Sequence, residues 1–343
     1  MTKSRMGPCL TRRGLIAAGG ALPLIGVLPR RASAAEFRYK FATGQDPAHP
    51  INKRAAEALD RIRQATGGRV DIKLFPANQL GSDTDLLSQV RYGAVEFFNL
   101  STSILATLLP TAGIVNTGFA FPDYEAVWSA MDGGLGQYIR AKIAKADLVS
   151  VAKFADNGFR QITTSTHPVV TPADLRGMKL RVPPAPMLTS LFKALGAGPA
   201  PINFNEVYSS LQTKVVEGEE NPLPIIATAR LYEVQKYCSL TGHVWDGYVI
   251  LGNHRAWQRL PEDLRAIVTR ELDHSVDDER ADIAKLSVSL RHNLSTKGLV
   301  FNEVDKEPFR AALAKTTFYA DWKAKYGSEA WDLLEQVTGK LVG

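Results

Sequence analysis

Phe37-Arg38-Tyr39-Lys40-Phe41-Ala42, followed by Thr43-Gly44, the stretch Pro50 to Ala65 and the stretch Arg69 to Phe75, sets the reading of this chain. The first six residues make a short strand that ends at Thr43-Gly44. Apolar or small residues at Ile51, Ala55, Ala56, Leu59 and Ile62 then recur at helical spacing until Gly67-Gly68 stops the helix. Arg69 to Phe75 is a second strand, ended by Pro76. A helix over about Asp83 to Arg91, with Asp at its start and Gly93 after its end, leads to a third strand, Val95 to Leu100. Strands alternating with helices in this way predict an α/β fold with a parallel sheet covered on both faces.

Further along, a helical segment from Tyr124 to Ala146 precedes the strand Val149 to Phe154, and the pattern then starts again. Arg160 to Ser165 reads as a strand, Thr171-Pro172-Ala173-Asp174 as a capped short helix, and Lys179 to Val182 as a strand closed by Pro183-Pro184. Helices follow over Pro186 to Leu195 and Asn205 to Thr213. Two α/β blocks without a flexible linker predict two lobes with a cleft between them, joined by chain that crosses more than once at a hinge. The boundaries expected are 35–157 with 247–286 for lobe I, and 158–246 with 287–343, including the C-terminal helices, for lobe II. From Pro261 to about Leu299 the chain is helix-compatible throughout. A helix of that length is expected to span both lobes, although its acidic middle, Asp277-Asp278-Glu279, also suits a solvated face.

Of the 343 residues, 45% are hydrophobic and 22% charged, as in a globular protein with core enough for two domains. The net charge of +6 hints at nucleic acid, but six basic residues and no acid lie within positions 1–34, which leaves the remainder neutral. A chain without a basic face has no electrostatic footprint for phosphate backbones, so no nucleic-acid partner is expected. Those 34 residues read as an export signal: Thr11-Arg12-Arg13-Gly14-Leu15, an apolar run to Leu28, then Ala32-Ser33-Ala34. Paired arginines before a Gly- and Ala-rich core predict the twin-arginine (Tat) route to the periplasm. Pro23, Pro29 and three glycines interrupt a run already too short to cross a bilayer, which needs roughly 20 residues. Cys9 falls in this leader, so Cys238 is left alone and is expected to be a small buried hydrophobe.

Catalytic signatures are sparse. No P-loop, HExxH, nucleophile elbow or Cys/His set with metal spacing occurs. Gly133-Gly134-Leu135-Gly136 lies inside a helical pattern, which argues against a dinucleotide loop. His274 and His292 are expected on the exposed side of the long helix, while His49 either faces the cleft or caps the helix that follows. Polar residues at strand ends stand out instead, because α/β folds bind ligands there. Arg181 lies in the apolar strand Met178-Lys179-Leu180-Arg181-Val182-Pro183 and requires an anion, which is either a ligand carboxylate or an acid of the chain itself. Arg160 poses the same choice. Glu217-Gly218-Glu219-Glu220-Asn221-Pro222 reads as a turn-forming acidic loop, with Asn221 held extended by the proline after it.

Four segments in order carry a resemblance: Pro76-Ala77-Asn78-Gln79-Leu80-Gly81, then Asp174 to Pro183, then Phe204-Asn205-Glu206-Val207-Tyr208 with Leu211-Gln212-Thr213, then Glu220-Asn221-Pro222-Leu223. Together they resemble the dicarboxylate-binding (DctP) type of solute-binding subunit of tripartite ATP-independent periplasmic (TRAP) transporters. The resemblance implies a two-lobed periplasmic binding protein, type II-like, that closes on an organic acid and delivers it to the membrane subunits of a TRAP permease. It implies that Arg181 makes the main bidentate contact to the carboxylate, that Arg160 adds a second, that Asn221 hydrogen-bonds the ligand and that Phe204 packs beside it. A position near Ser101 reads hydroxyls in sugar-acid members, and serine rather than an acid there argues against a sialic-acid-like ligand. Trp245, near a lobe crossing, is expected either as an aromatic wall of the cleft or as a core residue. No metal and no cofactor are implied, and C4-dicarboxylates, sugar acids and aromatic monocarboxylates all suit the arginine. An exported enzyme acting on a small carboxylate is the alternative, and it lacks a visible nucleophile and base.

Overall fold

The computed structural model describes residues 35–341, so the expected leader lies outside the described residues. Twelve strands form two sheets: β1 Phe37–Thr43, β2 Val70–Phe75, β3 Phe97–Ser101, β4 Leu148–Ser150, β5 Ala155–Phe159, β6 Gln161–Thr164, β7 Lys179–Val182, β8 Gly198–Pro201, β9 Gly218–Asn221, β10 Tyr237–Leu240, β11 Trp245–Asn253 and β12 Val300–Glu303. The first sheet runs β2-β1-β3-β11-β4, with β5 also paired to β11, and the second runs β12-β10-β6-β9-β7-β8. The α/β pattern is as expected, but neither sheet is purely parallel. β1 is parallel to β2 and β3, whereas β11 runs antiparallel to β3, β4 and β5. In the second sheet β6 runs antiparallel to both β9 and β10. The opposed strands are those next to a crossing, where the chain enters a sheet from the other lobe.

Those crossings differ by a few residues from the expected boundaries. The chain leaves the first sheet after Phe159, passes Arg160 and enters the second at Gln161. It returns between Leu240 and Trp245. A third connection is the helix Glu262–Ser295, which packs on α1 (Pro50–Ala65) in the first lobe and reaches the helix Leu223–Thr228 and β12 in the second, so it spans both. His274 and His292 are exposed on it. The assignment of all C-terminal helices to lobe II needs correction. Glu307–Ala314 packs in the second lobe, but Ser328–Thr338 rests on Tyr124–Met131 and Gly134–Lys145 of the first. The physical reason is a shared core: one apolar cluster runs from Leu100 and Ile114 through Leu188 and Phe192 to Trp331, so the lobes and the C-terminal segment bury each other's faces.

Two local readings also change. The helical stretch from Tyr124 breaks at Gly133, and a Cβ at Gly136 would lie 1.8 Å from the Met131 carbonyl oxygen, so the glycines serve a tight helix–helix turn. The acidic stretch read as a loop is β9, a central and wholly buried strand. Cys238 is buried in β10, where burial pushes its thiol pKa up. Among the described residues, no helix is long and apolar enough to cross a membrane.

Candidate functional site

The ends of β3, β5, β7, β9 and β11 converge with the start of α2 (Asp83–Tyr92) on a small cavity between the lobes. Five of the seven residues singled out in the sequence line it: Arg181, Arg160, Asn221, Phe204 and Ser101. Across this cavity α2 meets the second lobe, where the Asn203 side-chain amide donates to Thr84 Oγ1 at 3.2 Å.

Arg181 is 1% exposed, placed by the pairing of β7 with β8 and β9. Its Nε and Nη2 both donate to the Ile202 carbonyl, at 3.0 and 2.8 Å. That carbonyl holds one side of the guanidinium fork and leaves the end formed by Nη1 and Nη2 for another acceptor. Among the described residues no carboxylate forms an ion pair with it. Burial pulls its pKa down to about 10, opposed by the more distant Glu220, so it remains a cation at neutral pH.

Arg160 is a contrast at the same wall. Its Nε and Nη2 donate to both Glu220 carboxylate oxygens, Nη2 also to Asn221 Oδ1 at 3.0 Å, and Nη1 to Asp246 Oδ2 at 3.3 Å. Burial works against its charge, but Glu220 and Asp246 outweigh burial and raise its pKa. Burial likewise acts to raise Glu220, while Arg160 and His243 hold it below the usual carboxylate range. The neighbouring Glu219 has no such cation in contact, and burial lifts it to about 7. It accepts from Thr163 Oγ1 at 2.6 Å and from the Asn221 amide. Asn221 is therefore held from both ends, with one amide hydrogen left over.

Ser101 reaches the cavity, but its hydroxyl donates to Asp246 Oδ2 at 2.6 Å. Asp246 is a hub that also accepts from Thr102, Asn116 and Asn157, and it fixes the floor of the site. Phe204 opens a short 3-10 turn and supplies an aromatic wall, together with Tyr248 from β11.

Two expected site residues lie elsewhere. Trp245 is fully buried, its indole N–H donates to Asp156 Oδ1 at 2.9 Å, and its ring meets Phe121 and Trp128 edge-on. It belongs to the core at the lobe crossing, not to the cleft wall. His49 caps α1: its Nδ1 accepts from the Ile51 amide at 3.2 Å, and burial lowers its pKa to about 3, so it is neutral.

Sequence reasoning missed Gln45, Asp83, Asn99, Asn157 and Tyr248, all on the first-lobe side of the cavity. Asn99 Oδ1 and Nδ2, Asn157 Oδ1, Gln45 Oε1 and the Tyr248 hydroxyl are buried without a hydrogen-bond partner in the protein. Such atoms are costly unless something meets them, and their convergence on one cavity marks where a polar ligand fits. An amide inside the apolar strand Phe97-Phe98-Asn99-Leu100 was the available signal.

A cleft of this kind, with one unmated guanidinium on one lobe and unpartnered amides on the other, defines a class: receptors that close on a small polar anion. Residues 41–321 match the DctP family, described as "Bacterial extracellular solute-binding protein, family 7", and the chain belongs to that family. It is 33% identical over 269 residues to the C4-dicarboxylate-binding periplasmic protein DctP of Rhodobacter capsulatus, covering 78% of this chain and 80% of the relative. It is also 33% identical over 308 residues to the protein y4mM of Sinorhizobium fredii, but that match spans 89% of this chain and 57% of the relative's length. Among solved structures, the sugar acid binding protein DctPAm of Advenella mimigardefordensis in complex with galactonate superposes with a TM-score of 0.85 at 28% identity, covering 90% of this chain and 99% of the other.

Proposed function

We propose that this DctP-family receptor binds an organic acid with Arg181 as its principal anchor, docking the ligand carboxylate on the free end of the guanidinium. The single observation that supports this is the state of Arg181: buried, oriented by Ile202 and unmated. Asn221 and Phe204 complete the second-lobe side, and Arg160 acts mainly by holding Asn221 and Glu220 in place. Lobe closure removes water and so strengthens the ion pair. A micromolar affinity requires about −8 kcal/mol, more than one desolvated pair supplies, which is why the first-lobe amides must contribute. The relatives named as periplasmic and the twin arginines at positions 12 and 13 support delivery to the periplasm by the Tat route. Membership of the family supports hand-over to the membrane subunits of a TRAP permease, with the acid carried and not turned over.

Arg181→Ala tests the anchor. Truncating one member of a desolvated charged pair costs roughly 2–5 kcal/mol, so calorimetry should show carboxylate affinity falling by well over tenfold. Arg181→Lys should recover only part of it, because an ammonium cannot reproduce the fork. Affinity unchanged in Arg181→Ala overturns the proposed role.

A further inference from the structure

Resting on the receptor reading, we infer that Glu279 and Asp156 form a proton-controlled hinge, so that the protein holds its ligand more tightly when Glu279 carries a proton. Three connections join the lobes, and all three meet at this pair of carboxyl groups. Asp156 lies on β5, which ends at the first crossing, Trp245 opens β11 after the second, and Glu279 sits on the helix Glu262–Ser295 that spans both lobes. The Asp156 amide donates to Glu279 Oε2 at 3.0 Å, and the Trp245 indole N–H donates to Asp156 Oδ1 at 2.9 Å. The strands are irregular at this point. Gly158 on β5 has φ +113°, a Cβ there would lie 3.2 Å from Pro222 of the second lobe, and the β5–β11 register shifts between Asp246 and Gly247. A change of angle between the lobes therefore moves the groups around Asp156 against one another.

Both acids are buried, and Glu279 Oε1 has no hydrogen-bond partner. The surrounding charges leave an ionised Glu279 uncompensated. Arg280, beside it on the helix, is committed to Asp132 and the Phe154 carbonyl and stacks on Trp128. Asp282 pairs with Arg54 of α1, with Lys53 nearby. From β11 come Asp246, which is engaged by Arg160, and the phenol of Tyr248, while the Tyr124 hydroxyl faces Asp156. The second-lobe helix packed here, Leu223–Thr228, has no titratable group. A neutral carboxyl group tolerates such a site, whereas a carboxylate draws water into it. Burial, with Asp156 beside it, accordingly keeps Glu279 protonated well above the usual carboxylate range. Ionisation then favours lobe arrangements in which the crossings separate and water enters. Closure on a ligand takes up the proton again, so affinity is full at low pH and falls as pH rises through the raised value.

The test compares wild type, Glu279→Gln and Asp156→Asn between pH 5.5 and 8.5. Without ligand, amide hydrogen exchange of peptides covering 155–159 and 244–248 is taken as the ratio of wild type to Glu279→Gln at each pH, which cancels the intrinsic effect of pH. That ratio should be near one at pH 5.5 and rise roughly threefold or more by pH 8.5, while peptides from β6 and β10 stay near one. Asp156→Asn, which removes the neighbouring negative charge, should move the wild-type transition to lower pH. In calorimetry with succinate and D-galactonate as probes, the better-bound acid should lose roughly threefold more affinity over this range in wild type than in Glu279→Gln. An exchange ratio equal at both pH values, or one that rises equally in the β6 and β10 peptides, overturns the inference whether or not either acid binds. An affinity ratio between the two proteins that is the same at both pH values overturns the coupling to binding. Probe binding unaffected by Arg181→Ala overturns the anchor and not the hinge.

Discussion

Arg160, in the crossing just before β6, and Arg181, on β7, face one cavity from either side of β9, yet the protein uses them differently. Arg160 is held by two buried carboxylates that have no other arginine or lysine partner among the described residues, so its loss is felt by the fold. Removing one partner from a buried pair typically costs 3–5 kcal/mol. Arg160→Ala should lower stability in urea unfolding by about that amount, and Arg160→Met, which restores bulk but not charge, should be nearly as damaging. A loss below about 1 kcal/mol would mean the cluster is not the structural element described. The sequence said that both arginines need anions. It could not say which was already satisfied, because Glu220 and Asp246 lie 60 and 86 residues away and arrive only through strand pairing and the second crossing. Trp245 was ambiguous for the same reason, since the side of a crossing residue that faces the cleft depends on strand register.

At the scale of elements, β9 and the long helix show where pattern reading stops. Gly218-Glu219-Glu220-Asn221 looks like a surface turn by composition, and it is a central strand because the buried Arg160, His243 and Thr163 receive its acids. Local propensity is overruled there by tertiary charge pairing. The long helix was legible from its length and apolar spacing, but one of its acids is not solvated. Glu279 is fully buried, its Oε2 accepts from the Asp156 amide at 3.0 Å, and its Oε1 has no partner. Burial, with Asp156 beside it, raises its pKa well above the usual carboxylate range. An acid whose pKa is higher folded than unfolded takes up a proton on folding, so its contribution is full below the ordinary carboxylate pKa and is lost as pH rises through the raised value. Glu279→Gln should therefore melt higher than wild type at pH 8, with the gap closing near pH 4. Asp156, which burial lifts to about 6, titrates in both proteins and largely cancels from the comparison. A melting-point difference independent of pH would show that Glu279 is not the titrating group.

For the whole molecule, the two lobes were legible because the strand–helix alternation occurs twice without a linker. The seat of Ser328–Thr338 was not, because an amphipathic helix advertises an apolar face without saying which lobe accepts it. The arrangement of the lobes has a functional consequence. In this arrangement of the lobes Asn99, Asn157 and Tyr248 bury polar atoms that no protein group meets, and each such atom costs about 1–3 kcal/mol. A ligand that satisfies them offsets this cost, so it should shift the population of lobe arrangements toward closure. Small-angle X-ray scattering with a saturating organic acid that calorimetry shows to bind should show a smaller radius of gyration than the protein alone. Thr84 and Asn203 bridge the lobes, so their bond should form on closure, and a half-buried neutral hydrogen bond is worth about 1 kcal/mol. Thr84→Ala should therefore weaken that ligand by about fivefold, mainly through faster dissociation in stopped-flow, while leaving the unliganded melting point nearly unchanged. Equal radii with and without a tightly bound acid would show that the lobes do not move, and the role of Thr84 in closure would fall with that motion.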